Sequence, residues 1–202
     1  MARGVGRLTS GIFAIVLTAS LVLGAASTAA GAKKQNHCIN PVGIDLNEFF
    51  GTQDAFITPY CTTAHTGDKW RPFVRWVVAD TFEVIPEGYV PARPTPLEDF
   101  LSKFVSVRYV IDAGTKKERT FEFAVSDLIL SVIDLPDNTS FVGFTPRLRP
   151  LPPGNHSIDI FITVTAETWD GLGLEPGVNS APAGESPSPS VEFRVVNRGR
   201  KK

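Results

Sequence analysis

The chain's imidazoles are His37, His65 and His156, and their neighbours limit what they could catalyse. His65 precedes Asp68 in the polar run Thr62-Thr63-Ala64-His65-Thr66-Gly67-Asp68, a pairing that would suit hydrolysis if a serine joined it. No Gly-x-Ser-x-Gly elbow supplies that serine, so structural hydrogen bonding is the expected role. His37 stands beside Cys38, yet there is no close Cys/His cluster and no His-Glu-x-x-His helix to hold zinc. Asp159, Glu167 and Asp170 could lend oxygens to calcium, but they lack the dense ligand order of an EF-hand. Solubilising charge is their expected role. Glycoside hydrolysis needs two carboxylates facing each other at about 5 Å or about 6.5–9.5 Å, and no pair here earns that assignment. No catalytic residue, metal ligand or cofactor is assigned, and a non-enzyme is favoured.

Aromatic side chains offer binding chemistry instead. Trp169 lies in Glu167-Thr168-Trp169-Asp170-Gly171, between a strong strand signal and a glycine-rich stretch. An exposed indole there would stack on a sugar or pack on a protein, with its N–H as a directed donor. Tyr60 and Tyr89, in other expected loops, would extend that surface. The alternative role for Trp169 is to close the end of the core. Asn138-Thr139-Ser140 and Asn155-His156-Ser157 match the N-glycosylation acceptor pattern in turn-like contexts, without assigning a modification.

The address of the chain frames these candidates. Arg3 and Arg7 precede an apolar segment from Ile12 to Leu23, and Ser27 to Ala32 forms an alanine-rich exit. Those parts in that order predict a secretory signal peptide over 1–32, cut after Ala32, with Ala29 and Ala30 as other small-residue sites. A retained membrane anchor is not expected, because the apolar segment is short for a span of about 20 residues. Loss of Arg3 and Arg7 with no acid moves the net charge from −1 to −3. An acidic body with a basic tail at 198–202 does not predict nucleic-acid binding. Cys38 and Cys61 both fall in the exported part, so a disulfide between them is expected.

The elements that must position these residues read as strands. Residues 33–69 are irregular and predict an N-terminal flap tied by Cys38 and Cys61. Within it, 45–50 could form a helical turn that faces Phe49 or Phe50 to the core. Trp70 to Ile85 has the aromatic and β-branched content of strands. Thr95, Pro96 and Glu98 carry the signature of a capped helix start, with the helix running to Lys103.

Val105, Val107, Tyr109 and Ile111 alternate with polar residues, as do Phe121, Phe123 and Val125. The two runs around a glycine-bearing connection predict a hairpin, with Arg108 facing Glu122 on the outer side. Leu128–Leu135 and Phe141–Leu148 are further candidates. Ile158, Ile160, Ile162 and Val164 mark a long strand with Phe161 on its other face. Gly171 to Pro189 predicts a long mobile loop, and Val191, Phe193 and Val195 a last strand.

Seven or so strands without crossover helices predict an all-β fold, an antiparallel β-sandwich over 70–197. Strand count, export and the turn Leu148-Arg149-Pro150-Leu151-Pro152-Pro153-Gly154-Asn155-His156-Ser157-Ile158 together resemble immunoglobulin-like secreted domains, across roughly Trp70 to Asn197. The two cysteines depart from that pattern, since both precede the clear strands. The expected function is a secreted, non-catalytic module that binds an extracellular or envelope protein. Edge strands or the 171–189 loop would make the contact. A carbohydrate-binding module and a secreted hydrolase are the alternatives.

Overall fold

The computed structural model describes residues 36–198, apart from 129 and 136. The expected leader at 1–32 and the tail residues 199–202 lie outside the described residues. In chain order the elements are α1 (Leu46–Phe49), β1 (Ala55–Ile57), β2 (Thr63–His65), β3 (Trp70–Pro72), β4 (Val74–Ala79) and α2 (Pro96–Lys103). They continue with β5 (Phe104–Ile111), β6 (Arg119–Ala124), a short 3-10 turn (Val125–Asp127), β7 (Leu130–Leu135) and β8 (Thr139–Phe144). The last are β9 (Gly154–Val164), β10 (Thr168–Trp169), β11 (Ser180–Ala181) and β12 (Gly184–Val196).

The fold is predominantly β, but it is not a clean two-sheet sandwich. One curled, half-barrel-like sheet of order β2-β12-β9-β5-β6 dominates, and β4-β8-β7 form a smaller sheet. Two strand pairs, β1-β3 and β10-β11, complete the architecture. The reason lies in strand length and irregularity. β9 and β12 are long, and register shifts interrupt β12 between Ser188 and Val191 and β5 between Phe104 and Ser106. Such bulges bend a sheet toward closure.

The shift in β5 also reassigns its first inward residue. Phe104 is buried and Val105 is exposed, whereas simple alternation places Val105 inside. Beyond the shift, Val107, Tyr109 and Ile111 face the core as expected, opposite Ile158, Ile160, Ile162 and Val164 of β9. Arg108 and Glu122 are cross-strand partners, yet the guanidinium turns to Glu185 at 2.8 and 2.6 Å. It also lies 4.1 Å from the Phe161 ring centroid, which explains an aromatic on that outer face.

The segment expected as a mobile loop ends earlier. Gly184–Ser190 is strand, bonded to β9 on one side only, because β2 reaches no further than Arg194. Proline lacks a ladder donor and is tolerated on such an edge, which accommodates Pro187 and Pro189. The same prolines blunt this edge against pairing with another chain.

Near the N-terminus, Asp45 caps α1 by accepting from the Asn47 N–H at 2.9 Å. Leu46, rather than Phe49, is the buried anchor; Phe49 is exposed and Phe50 packs on Phe56. Cys38 and Cys61 form the expected disulfide, with Cα atoms 5.8 Å apart. The region is more than a flap, because β2 pairs in parallel with β12 as an edge of the large sheet.

Phe100 of α2, Phe104 of β5 and Phe144 of β8 join helix and both sheets, with the last two rings stacked 4.6 Å apart. Gly143, next to Phe144 in β8, packs instead against Phe73 of the N-terminal cluster without room for a side chain: a Cβ there would lie 2.5 Å from the Phe73 ring. Gly143→Ala is expected to cost about 1–3 kcal/mol by overpacking. A urea titration checks this, and an unchanged midpoint would refute it.

Candidate functional site

A buried polar cluster begins on α2, where the Thr95 side chain accepts from the Glu98 N–H. Capping there sets Asp99 and Lys103 one turn apart on the same face. Asp99 is wholly buried, and the Lys103 ammonium lies 2.7 Å from its Oδ2. Lys103 also donates to Tyr89 Oη at 2.8 Å and to the Glu167 carbonyl at 2.7 Å. Three donors thus meet three acceptors. Asp99 further accepts from Tyr89, from the Thr168 hydroxyl and from the Ala92 N–H.

Burial works against the Asp99 charge, but Lys103 and Tyr89 outweigh it and hold the carboxyl below its ordinary range. Burial likewise opposes the Lys103 charge, and bonds to Asp99 and Tyr89 reverse that and raise it. A cation held this way is no nucleophile. Its work is structural: it fastens α2 to the segments around residues 80–95 and 165–179.

Those two segments meet at one end of the fold. The Ala79 N–H donates to the Asp170 carbonyl at 2.8 Å, and the Tyr89 and Trp169 rings lie 6.4 Å apart. Gly171, at φ 77°, passes so close to Pro96 and the Thr81 carbonyl that a Cβ would crowd both. Asp170 is buried and accepts from the Leu172 N–H and the Asn179 amide, while burial raises its carboxyl above the ordinary value. On the same two segments, Val84, Ile85 and Val90 are exposed on one, and Leu172, Leu174 and Val178 on the other. Val90 is 82% exposed and Val178 61%.

Of the aromatics expected to bind, the structure brings Tyr89 and Trp169 together and leaves Tyr60 elsewhere. Trp169 is only 4% exposed and packs beside Tyr89, so it offers no stacking face. Its N–H is buried as well. Tyr60 is half-buried among Cys38, Leu46, Phe56 and Phe73. Comparison with protein-family models, curated proteins and solved structures finds no match.

The histidines are occupied. His65 Nδ1 lies 3.6 Å from Asp68, but that carboxylate accepts the His65 backbone N–H and pairs with Arg198. No hydroxyl is bonded to the His65 ring among the described residues. His37 pairs with Asp45. Asp159 binds Ser190 and Glu167 is exposed. Among the described residues no three His, Cys, Asp or Glu side chains are grouped to hold a metal.

Sequence reading missed one pair, Asp112 and His156, whose side chains meet at 2.9 Å beside an open groove of about 700 Å³. The available signal was register: Ile111 lies opposite Ile158, so Asp112 falls beside Ser157 and His156. Alternation within single strands does not reveal that β5 and β9 are neighbours. The geometry suits support more than catalysis, because Nε2 is 2.9 Å from the Pro152 carbonyl and faces no nucleophile. Both sequon asparagines, Asn138 and Asn155, are exposed.

Proposed function

We propose that the chain is an exported, non-catalytic binding module that docks a protein partner through the apolar end formed by residues 84–90 and 172–178. One observation carries the reading: six large apolar side chains stand in solvent on two segments pinned to a satisfied polar base. Exposed apolar side chains on segments tethered to one rigid base suit an interaction surface. Recognition loops at the end of a strand framework are also the plan of the immunoglobulin-like domains that the strand count resembles. Trp169 is buried and lends the carbohydrate alternative no stacking face, and the histidines, each beside a carboxylate, lend the hydrolase alternative no support.

The test immobilises the mature protein beside a Val90→Asp/Leu174→Asp variant and passes culture supernatant and envelope extract over both. A partner retained by the native chain should be depleted about tenfold on the variant, a loss of about 1.4 kcal/mol. Both proteins should melt at the same temperature, since the two changed residues are exposed. Equal recovery on both surfaces would refute the proposal.

A further inference from the structure

We infer that the occupant of this apolar end is a cationic amphipathic segment of a protein, with Lys or Arg interleaved among apolar residues. The inference rests on the docking reading above and specifies the chemistry of its partner. Charge along the two segments that carry the exposed apolar residues is predominantly negative. Glu83 and Glu87 flank Val84, Ile85 and Val90; Glu167 and Glu175 flank Leu172, Leu174 and Val178. All four carboxylates are exposed, and no ion pair engages any of them among the described residues. Over residues 80–95 the exposed cation is Arg93, and residues 165–179 contain none.

Lys103 cannot offset this charge, because its ammonium is committed inside to the Asp99 carboxylate, the Tyr89 hydroxyl and the Glu167 backbone carbonyl. The two segments therefore carry exposed apolar side chains beside four unpaired carboxylates and a single arginine, a net negative balance. A partner must cover the first and match the second, which describes an amphipathic basic segment. An anionic lipid surface fits poorly, since seating Val90 and Leu174 in it would press four carboxylates against like charge.

The decisive measurement titrates the full mature chain with a synthetic Leu/Lys amphipathic peptide, a Leu/Glu counterpart and vesicles containing phosphatidylserine. Binding of the Leu/Lys peptide alone is expected, weakening as salt shortens the screening length below about 10 Å. Changing Glu83, Glu87, Glu167 and Glu175 together to Gln should weaken it at least tenfold while leaving the melting temperature unchanged. Equal binding of the Leu/Glu peptide, uptake by the vesicles, or full affinity in the Gln variant would overturn the inference. So would no binding of either peptide, or self-association of the chain in sedimentation. If Val90→Asp/Leu174→Asp loses binding while the Gln variant keeps it, the docking surface stands and only its charge preference falls. The capture experiment judges the docking surface separately.

Discussion

Replacing Asp99 with alanine is expected to lower the unfolding free energy by about 3–5 kcal/mol, the cost of leaving a buried charge without its partner. A domain of this kind has only about 5–15 kcal/mol in total. Lys103 would keep the Tyr89 oxygen and the Glu167 carbonyl, but no anion would face its ammonium. Tyr89 and Thr168 would lose their shared acceptor at the same time. Replacing both charges with apolar residues, Asp99→Leu with Lys103→Met, should cost far less, because no charge is then stranded. Urea unfolding of the two variants decides the matter; equal losses would refute the ion-pair account.

The same pair sets an acid limit. Asp99 is depressed below its ordinary value of 3.8 in the folded state. Its contribution is therefore complete above that value and lost as pH falls through the lower folded-state value. Lys103 is raised above 10.5, so its contribution is present below that value and fades only as pH climbs beyond it. Between those limits the base of the apolar end should hold its shape.

Much of this base was legible as local pattern and almost none of it as a site. Thr95, Pro96 and Glu98 announce the start of α2, and Asp99 and Lys103 stand one turn apart in plain view. Nothing local says that this helix face is buried. That depends on Tyr89 and Thr168 arriving from ten and sixty-nine residues away in sequence. Trp169 shows the same limit: its place between strand and loop leaves exposure and burial both open, and the ring of Tyr89 packing beside it decides for burial.

The strands were legible where inward and outward residues alternate, as in β9 and the body of β5. They were misread where a bulge or an edge changes the rule. Val105 turns outward because β5 shifts register beside Ser106, and Pro187 and Pro189 lie in a strand because one side of it is unpaired. Sheet order is the remaining gap. It decides that Arg108 meets Glu185 rather than Glu122, and that Asp112 meets His156.

Reduction of the disulfide, or the paired change Cys38→Ser/Cys61→Ser, is expected to cost about 3 kcal/mol, since the bond closes a loop of moderate length in the unfolded chain. Cys38 and Cys61 are 23 residues apart and enclose α1 and β1. For a chain of this size the melting temperature should fall by roughly 6–12 °C. The loss should not be uniform. β2 begins two residues after Cys61 and holds the sheet through three paired positions with β12. Leu46, Phe56 and Phe73, which pack around Cys38, form a cluster distinct from the main core.

Hydrogen exchange in the reduced chain should therefore accelerate first over residues 38–65, while β5 and β9 keep their protection. An unchanged melting temperature would show that packing alone holds this region. Uniform acceleration would show instead that it unfolds only with the whole. The localised acceleration would separate the part of the fold that depends on an oxidising compartment from the part that does not. Export, as proposed, would deliver the chain to such a compartment, and the localised response would show which region the bond holds there.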